Sequence, residues 1–406
     1  MRILFITSDY KTPDKGSNIY TDLAYALHKR GHQIKVVVAE EKKNTTTTYL
    51  NEENEIPVLR VKTGNLYEVS LIEKGVTFLT IAKNLKKGIK KYLNNEEFDL
   101  ILFQSPPLTM QSAVRWAMKK YHAESYLMMK DIFPQNGLDI GLYTKTNPMY
   151  LYFKLQEKKL YKTASKIGCM SEGNIDYLLE HNKFLTESKA ELFPNTAIIK
   201  NISQSKQEKN NVRKKYGLKD DDVVAIFGGN FGKPQGLNFM LEVINKCQNN
   251  KKLKFVLIGK GTEKRKVYDT IKKNKIKNVL TFDYIPREEY EKLTRASDIG
   301  LIFLDHRFTI PNYPSKTLSY FESSLPIMAA TDDCTDYKDM IIKEKCGFWS
   351  LSGDIKDYMK KFNKLIESES LRKEMGSNGR KYYEENCNID ISVKKLEQYM
   401  EGVKDV

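Results

Sequence analysis

The sequence predicts an α/β protein of two Rossmann-like, doubly wound domains facing each other across a cleft. Three observations carry this. Short continuous apolar runs recur, with Ile3-Leu4-Phe5-Ile6 the first, as strands buried on both faces of a parallel sheet require. Helix-patterned stretches separate these runs, so strand and helix alternate. The alternation pauses after Phe193-Pro194-Asn195 and restarts at Val223. Ligands of open α/β sheets bind beyond the strand C-termini, and two such sheets offer two sets of strand ends.

The first strand runs into the loop Thr12-Pro13-Asp14-Lys15-Gly16-Ser17-Asn18. A helix with Leu23, Ala24 and Leu27 follows and stops at Arg30-Gly31-His32. Strands at residues 34–38, 100–103 and 125–129 continue the first domain, and Thr45 to Thr48 reads as a loop. From Asn195 to about Lys215 the chain is polar, with few large apolar residues. This seam sets the expected domains at 1–197 and 198–384. In the second, a strand at 223–227 meets Gly228-Gly229, and a helix begins near Leu237. Strands at 255–259, 279–282, 299–303 and 327–330 follow. Residues 385–406 read as a last helix with Leu396, Tyr399 and Met400 as apolar positions.

A length of 406 residues suits two to three domains. No run of about 18 apolar residues is present, so no transmembrane helix is expected. The apolar start is too short for a signal-peptide core. Five scattered cysteines without a C-x-x-C pair read as free thiols in a reducing cytoplasm. Dispersed histidines predict no metal cluster. The net charge is +15. Residues 1–190 carry 28 basic and 21 acidic side chains, a net +7, and the remainder carries +8. A nucleic-acid-binding arm would be lopsided, and this chain is not.

Five features could carry chemistry. Phe227-Gly228-Gly229-Asn230-Phe231-Gly232-Lys233-Pro234-Gln235-Gly236 follows a strand and precedes a helix. It reads as a phosphate cradle, with glycine amides, a helix N-terminus and Lys233, or as a tight turn. Pro314-Ser315-Lys316-Thr317 reads as a helix start offering amides near Lys316 and Thr317 to a diphosphate, or as an ordinary capped helix. Lys130-Asp131 ends a strand, where an ionisable pair suits catalysis; a loop salt bridge is the alternative. Gly16-Ser17-Asn18 suits an acceptor or a phosphate, or is a plain N-cap. Lys83, Lys86, Lys87, Lys90 and Lys91 fall within about 140° of a helix opposite Ile81, Leu85, Ile89 and Tyr92. That face is solvated, or it meets anionic lipid headgroups.

Together these residues resemble a family. The chain is similar over nearly its whole length to GT-B glycosyltransferases of the retaining family four. Residues 23–32 resemble its first helix, and Cys169-Met170-Ser171-Glu172-Gly173 its strand into "xSE". Phe193-Pro194-Asn195 resembles its hinge, Val256-Leu257-Ile258-Gly259-Lys260-Gly261 its "hhGxG", and Ala296-Ser297-Asp298-Ile299 its "ADhxh". Residues 314–329 resemble its nucleotide-site helix. Residues 229–236 and 130–134 resemble a subgroup of N-acetylfucosaminyltransferase-like enzymes that builds capsule and O-antigen units.

The resemblance implies a UDP-sugar donor, an N-acetylated hexosamine or deoxyhexosamine, and an undecaprenyl-diphosphate-linked saccharide acceptor. It implies retention of configuration without a metal or other cofactor, the nucleotide sugar being a substrate, and a cytoplasmic protein peripheral on the inner face of the membrane; the lysines at 83–91 suggest that the N-terminal domain meets an anionic surface. The last helix is expected to return to the first domain. Backbone N–H groups from Gly229 through Asn230 to Gly232, and from Ser315 to Thr317 just beyond Pro314, would join Lys233 and Lys316 in taking up the leaving-group charge. Asp131 would stand at the anomeric centre, and Tyr284, Ile285 and Pro286 would read the base. The chain departs from the wider family at four places. Asn230 and Gln235 stand where it has Arg and Lys, and Pro311 and Ser319 where it has an E-x7-E pair. Ser319 would contact the ribose. The rival readings are a noncatalytic basic module binding lipid or nucleic acid, and a nucleotide-sugar epimerase; no nucleic-acid motif supports the former.

Overall fold

The computed structural model describes residues 1–66, 69–200 and 204–404. The chain forms two compact units, Met1–Ile198 with Ile389–Val406, and Ile199–Asn388.

The first unit is built from β1 (Arg2–Thr7), α1 (Ile19–Lys29), β2 (Gln33–Glu41), β3 (Tyr49–Glu53), β4 (Ile56–Thr63), α2 (Leu71–Tyr92), β5 (Leu100–Ser105), α3 (Gln111–Tyr121), β6 (Glu124–Met129), α4 (Gln135–Asp139), α5 (Pro148–Thr163), β7 (Lys166–Cys169), α6 (Glu172–His181) and β8 (Ala190–Leu192). Its sheet runs β3-β4-β2-β1-β5-β6-β7-β8. All neighbours are parallel except β3 on β4. Ile3, Leu4, Phe5 and Ile6 have no exposed surface, so both faces of β1 are covered, as its unbroken apolar run requires. The antiparallel β3 lies at the edge. Four of its five residues are exposed, so it lacks the apolar run that marks the other strands.

The second unit holds α7 (Lys206–Lys215), β9 (Val223–Gly228), α8 (Leu237–Lys246), β10 (Leu253–Ile258), α9 (Lys264–Lys273), β11 (Val279–Phe282), α10 (Arg287–Ala296), β12 (Ile299–Phe303), α11 (Lys316–Glu322), β13 (Ile327–Thr331), α12 (Tyr337–Lys343), β14 (Gly347–Leu351), α13 (Ile355–Glu367) and α14 (Glu369–Asn386). Its sheet is wholly parallel, in the order β11-β10-β9-β12-β13-β14. The order reverses at β9 and β12, the two strands whose ends bear the glycine loop and the approach to α11. On one face of the sheet Phe227, Phe239, Phe303, Tyr358 and Phe362 form a ring-rich core.

The last helix, α15 (Ile389–Lys404), belongs to the first unit. Ile389, Val393, Leu396 and Met400 join the core that holds Leu23 and Leu27 of α1. Arg30 bonds Asp390 at 3.0 Å, and His32 bonds Glu397 at 2.9 Å. Four buried apolar side chains spaced at i, i+4, i+7 and i+11 explain why this segment is a helix and why it packs here.

Candidate functional site

The loops beyond β9, β10, β11 and β12 are stitched at one edge of the second sheet. The Gly229 amide donates to the Ile258 carbonyl at 2.9 Å, and Gly259 donates to Phe282 at 2.9 Å. Phe231 donates to Lys260 at 2.7 Å, and Asp305 donates to Pro234 at 3.0 Å. Backbone bonds between loops make this edge a rigid platform.

Lys316, the first residue of α11, lies on it. Its ammonium donates to Gln235 Oε1 at 2.7 Å and stands 4.0 Å from the centre of the Phe227 ring. Burial pushes its pKa down to about 7. Among the described residues no carboxylate forms an ion pair with it. Gly229 adopts φ +151°, and a Cβ there would meet Lys316 Nζ at 3.2 Å. This glycine therefore makes room for the lysine. A lysine desolvated without a counter-charge is an anion receptor by its chemistry.

Three expectations about backbone donors need correction. Gly229 and Phe231 do not offer their amides, because both already bond the β10 loop; Asn230 and Gly232 remain as the loop's candidate donors. The glycine loop does not run straight into α8. A short turn at Lys233–Gln235 intervenes, and Gly236 in the left-handed region (φ 55°) precedes the helix. Thr317 is not a donor either. Its amide bonds the Pro314 carbonyl at 3.2 Å, and its buried hydroxyl bonds Tyr337 at 2.7 Å. Ser315 is exposed, caps nothing with its side chain, and stands with the half-buried Pro314 just before α11.

Lys233 is exposed on its turn. The Asn230 side chain lies against Gly261 and Gly232, where a Cβ would come within 2.3 and 3.0 Å of it. Ser319, on α11, hydrogen-bonds the side chain of Tyr290, a residue the sequence did not single out. Tyr290 fills the space that a Cβ at Gly228 would need. Past β11, Tyr284 is 65% exposed, Ile285 is buried, and Pro286 precedes α10. Lys260 stands 5.9 Å from the Tyr284 ring. This cation too went unremarked, although the glycines on either side of it were a signal.

In the first unit Lys130 and Asp131 form neither the expected pair nor a salt bridge. Both follow the last residue of β6, Met129, and each is held by a different partner. Lys130 donates to Asn195 Oδ1 at 3.0 Å and lies 5.5 Å from the Phe193 ring. Burial lowers its pKa to about 7. Asp131 accepts from Asn136 Nδ2 at 2.9 and 2.8 Å, one bond on each oxygen. Burial raises its pKa to about 6 despite those bonds.

Asn18 is a capping residue. Its Oδ1 accepts from the amides of Tyr20 and Thr21, and its amide group reaches the Asp9 carbonyl at 3.3 Å. Its side chain is thus committed to holding α1. Gly16 closes the preceding turn with φ 80° and Ser17 is half-buried. Beside this turn lies a pocket of about 180 Å³ lined in part by Asp9, Lys11, Glu40, Glu41 and Asn44. Arg60 closes its wall, forked onto Glu53 at 2.7 and 2.8 Å and bonded to Glu40 at 2.6 Å. An arginine inside the apolar run of β4 was the sequence signal for this pocket.

Asp332 and Asp333 diverge. Asp332 is buried and accepts from the Thr335 amide, whereas Asp333 pairs with Lys338 at the surface. Among the described residues no group of three His, Cys, Asp or Glu side chains is placed to hold a metal.

Residues 208–382 match the family of glycosyl transferases group 1. A capsular polysaccharide biosynthesis glycosyltransferase of Staphylococcus aureus, CapM, is 26% identical over 274 residues, which cover 63% of this chain and 67% of that protein. Sucrose-phosphate synthase from Thermosynechococcus elongatus has a similar structure, with a TM-score of 0.76 at 13% identity and 100% of both chains covered. HepE from Anabaena, solved with UDP and glucose, gives a TM-score of 0.71 at 14% identity, covering 99% of this chain and 100% of that one.

Proposed function

Starting from a chain with the GT-B fold and a group 1 glycosyl transferase domain in its second unit, we infer that it moves a sugar from a UDP-sugar to a saccharide carried on undecaprenyl diphosphate, in the synthesis of a bacterial capsule or O-antigen. The sugar in this reading is an N-acetylated hexosamine or deoxyhexosamine, transferred with retention and without a metal.

One observation carries the donor half of this reading. Lys316 is held over Phe227 by Gln235 at a sheet edge, with its charge unpaired. The diphosphate of a nucleotide sugar supplies the missing anion. As the glycosidic bond breaks, negative charge grows on that diphosphate, and a fixed cation there stabilises the transition state more than the ground state. Lys233 and the amides of Asn230 and Gly232 are the further donors we assign to it. Tyr284 offers an exposed ring for the base, and the Ser319–Tyr290 pair offers hydroxyls to the ribose. Asp131 is the carboxylate we assign to the reacting sugars, kept in place by Asn136. The relatives lend support: one is a capsular glycosyltransferase by name, and another was solved with UDP and glucose.

The test is transfer of labelled sugar from a panel of UDP- and GDP-sugars to lipid-diphosphate saccharides. Transfer from a UDP-N-acetyl sugar with the anomeric configuration retained is the expected result. Epimerisation or hydrolysis without any acceptor, in place of transfer, would overturn the reading.

A further inference from the structure

The positive charge of the second unit is concentrated in one stretch. Residues 199–388 hold 36 basic and 26 acidic side chains, a net +10. Residues 251–277 alone hold 11 basic and two acidic, a net +9. Part of that charge is answered locally. Lys264 pairs with Asp283, Arg265 with Asp269 and Lys266 with Glu263. Lys272, Lys275 and Lys277 are exposed, and among the described residues none of the three forms an ion pair.

These three lysines rim a groove of about 520 Å³ between the end of α9 and β11. Tyr268 and Ile271 of α9 and the buried Ile276 line it with apolar surface, and Thr281 of β11 completes the lining. β11 is an edge strand that pairs with β10 alone among the described strands. Its bonds to β10 come from alternate residues. The Phe255 amide donates to the Asn278 carbonyl at 2.8 Å, and Gly259 donates to Phe282 at 2.9 Å. Residues 278, 280 and 282 thus face β10, and the backbone groups of Val279 and Thr281 face outward. Such an edge is a template for another strand, and lysines are a common guard against stray pairing. A guard has no use for an apolar groove beside it.

We propose that this groove binds an extended acidic segment of a partner protein, which joins β11 as a further strand and sets its carboxylates against Lys272, Lys275 and Lys277. Strand addition draws affinity from main-chain hydrogen bonds and specificity from alternate side chains. Here the groove takes every second, apolar side chain. The lysines, on flexible stems at the rim, reach the carboxylates between them. Complementary charge also excludes basic segments from the same edge. Nucleic acid and lipid headgroups share the negative charge but bring no strand, so the outward backbone groups of Val279 and Thr281 would go unused. The proposal is independent of which sugar is transferred.

Fluorescence anisotropy of the full chain tests it, with a labelled peptide of alternating valine and glutamate about eight residues long. The expected result is saturable binding that weakens at least tenfold when the glutamates become lysines. Binding also weakens at least tenfold when the peptide amides are N-methylated, which removes every main-chain donor and keeps every side chain. Lys272→Gln with Lys275→Gln and Lys277→Gln has the same effect on the acidic peptide. That variant keeps the wild-type helical signal and melting temperature, because the three side chains are exposed. No binding of the acidic peptide to the wild type would overturn the proposal. So would a lysine variant that binds it as the wild type does, or an N-methylated peptide that binds as well as its parent. Single-stranded DNA or phosphatidylglycerol vesicles that displace the peptide and lose binding in the same variant would assign the lysines to another polyanion, and would overturn it too.

Discussion

Lys316 and Gln235 hold each other at the edge of the second sheet, ammonium to amide oxygen at 2.7 Å. The wider family that the sequence resembles has a lysine at the position of Gln235. Here the two roles separate: residue 316 carries the charge and residue 235 aims it. A second lysine at 235 would set two ammonium groups against each other on a desolvated platform, whereas a glutamine accepts from the one that is there.

Removing the charge should therefore cost more than removing the aim. Lys316→Met is expected to lower kcat by about 10²–10³, the usual loss for one donor to a developing anion. Gln235→Leu leaves the ammonium in place and should cost about tenfold or less. Lys233→Ala, at an exposed position, should also cost about tenfold. Steady-state rates with a UDP-sugar, alongside circular dichroism to check the fold, measure all three. A Lys316→Met enzyme with wild-type turnover would remove this residue from the mechanism.

The same lysine sets a pH dependence for donor binding. Its pKa in the free protein is down at about 7 because burial penalises the charge. Below pH 7 the ammonium is already charged when the donor arrives. Above pH 7 it is neutral, and binding a diphosphate requires proton uptake. Affinity for a UDP-sugar should thus be level below pH 7 and fall above it, by at most tenfold per pH unit. Calorimetric titration in buffers of different ionisation heat would detect the bound proton. The Lys316→Met variant should show weak binding without that slope.

Asp131 should behave in the opposite sense. Its pKa is raised to about 6 by burial. Activity that needs the carboxylate should rise from pH 5 to 7, and Asp131→Asn should remove that limb together with most of the turnover. Stability goes the other way. A carboxyl with a raised folded pKa is harmless below its unfolded value of 3.8 and costs stability as pH rises through 6. Asp131→Asn should therefore stabilise the protein at pH 7.5, by up to about 3 kcal/mol, with the gain shrinking toward pH 4. Thermal unfolding at the two pH values measures it. A variant that is less stable at pH 7.5 would mean that the Asn136 bonds outweigh the burial of the charge.

The alternation of buried strands was legible because a parallel strand must be apolar on both faces, and Ile3 to Ile6 or Val223 to Phe227 can be little else. The edge pair β3–β4 was not, because Tyr49–Glu53 is mostly exposed and Arg60 interrupts the apolar run of β4. Among the site residues, types were easier to read than roles. Gly229 and Lys316 were visible as a glycine and a lysine at element ends. That the Gly229 amide is spent on Ile258 while its missing Cβ admits Lys316 depends on a strand elsewhere in the chain. The divergence of Lys130 from Asp131 was not legible, because both follow the end of β6 and each is held by a partner distant from the strand, Asn195 and Asn136. On α2 the lysine face was legible opposite Ile81, Leu85 and Ile89, and these three side chains are buried as that spacing requires.

The buried cluster at Arg60 predicts a stability effect separate from chemistry. Its guanidinium side chain is 2% exposed and Glu53 is 5% exposed. Glu53→Ala removes a forked partner and leaves Arg60 with Glu40 and the Tyr10 carbonyl. Stripping one member from a buried ion pair typically costs about 3–5 kcal/mol, most of it the penalty of the stranded charge. Replacing both, Glu53→Leu with Arg60→Met, strands no charge within the forked pair and should cost less than Glu53→Ala alone. Urea unfolding of the two variants decides the point. If the double variant is the less stable, the cluster holds the β3–β4 edge by its hydrogen bonds, and apolar packing does not replace them.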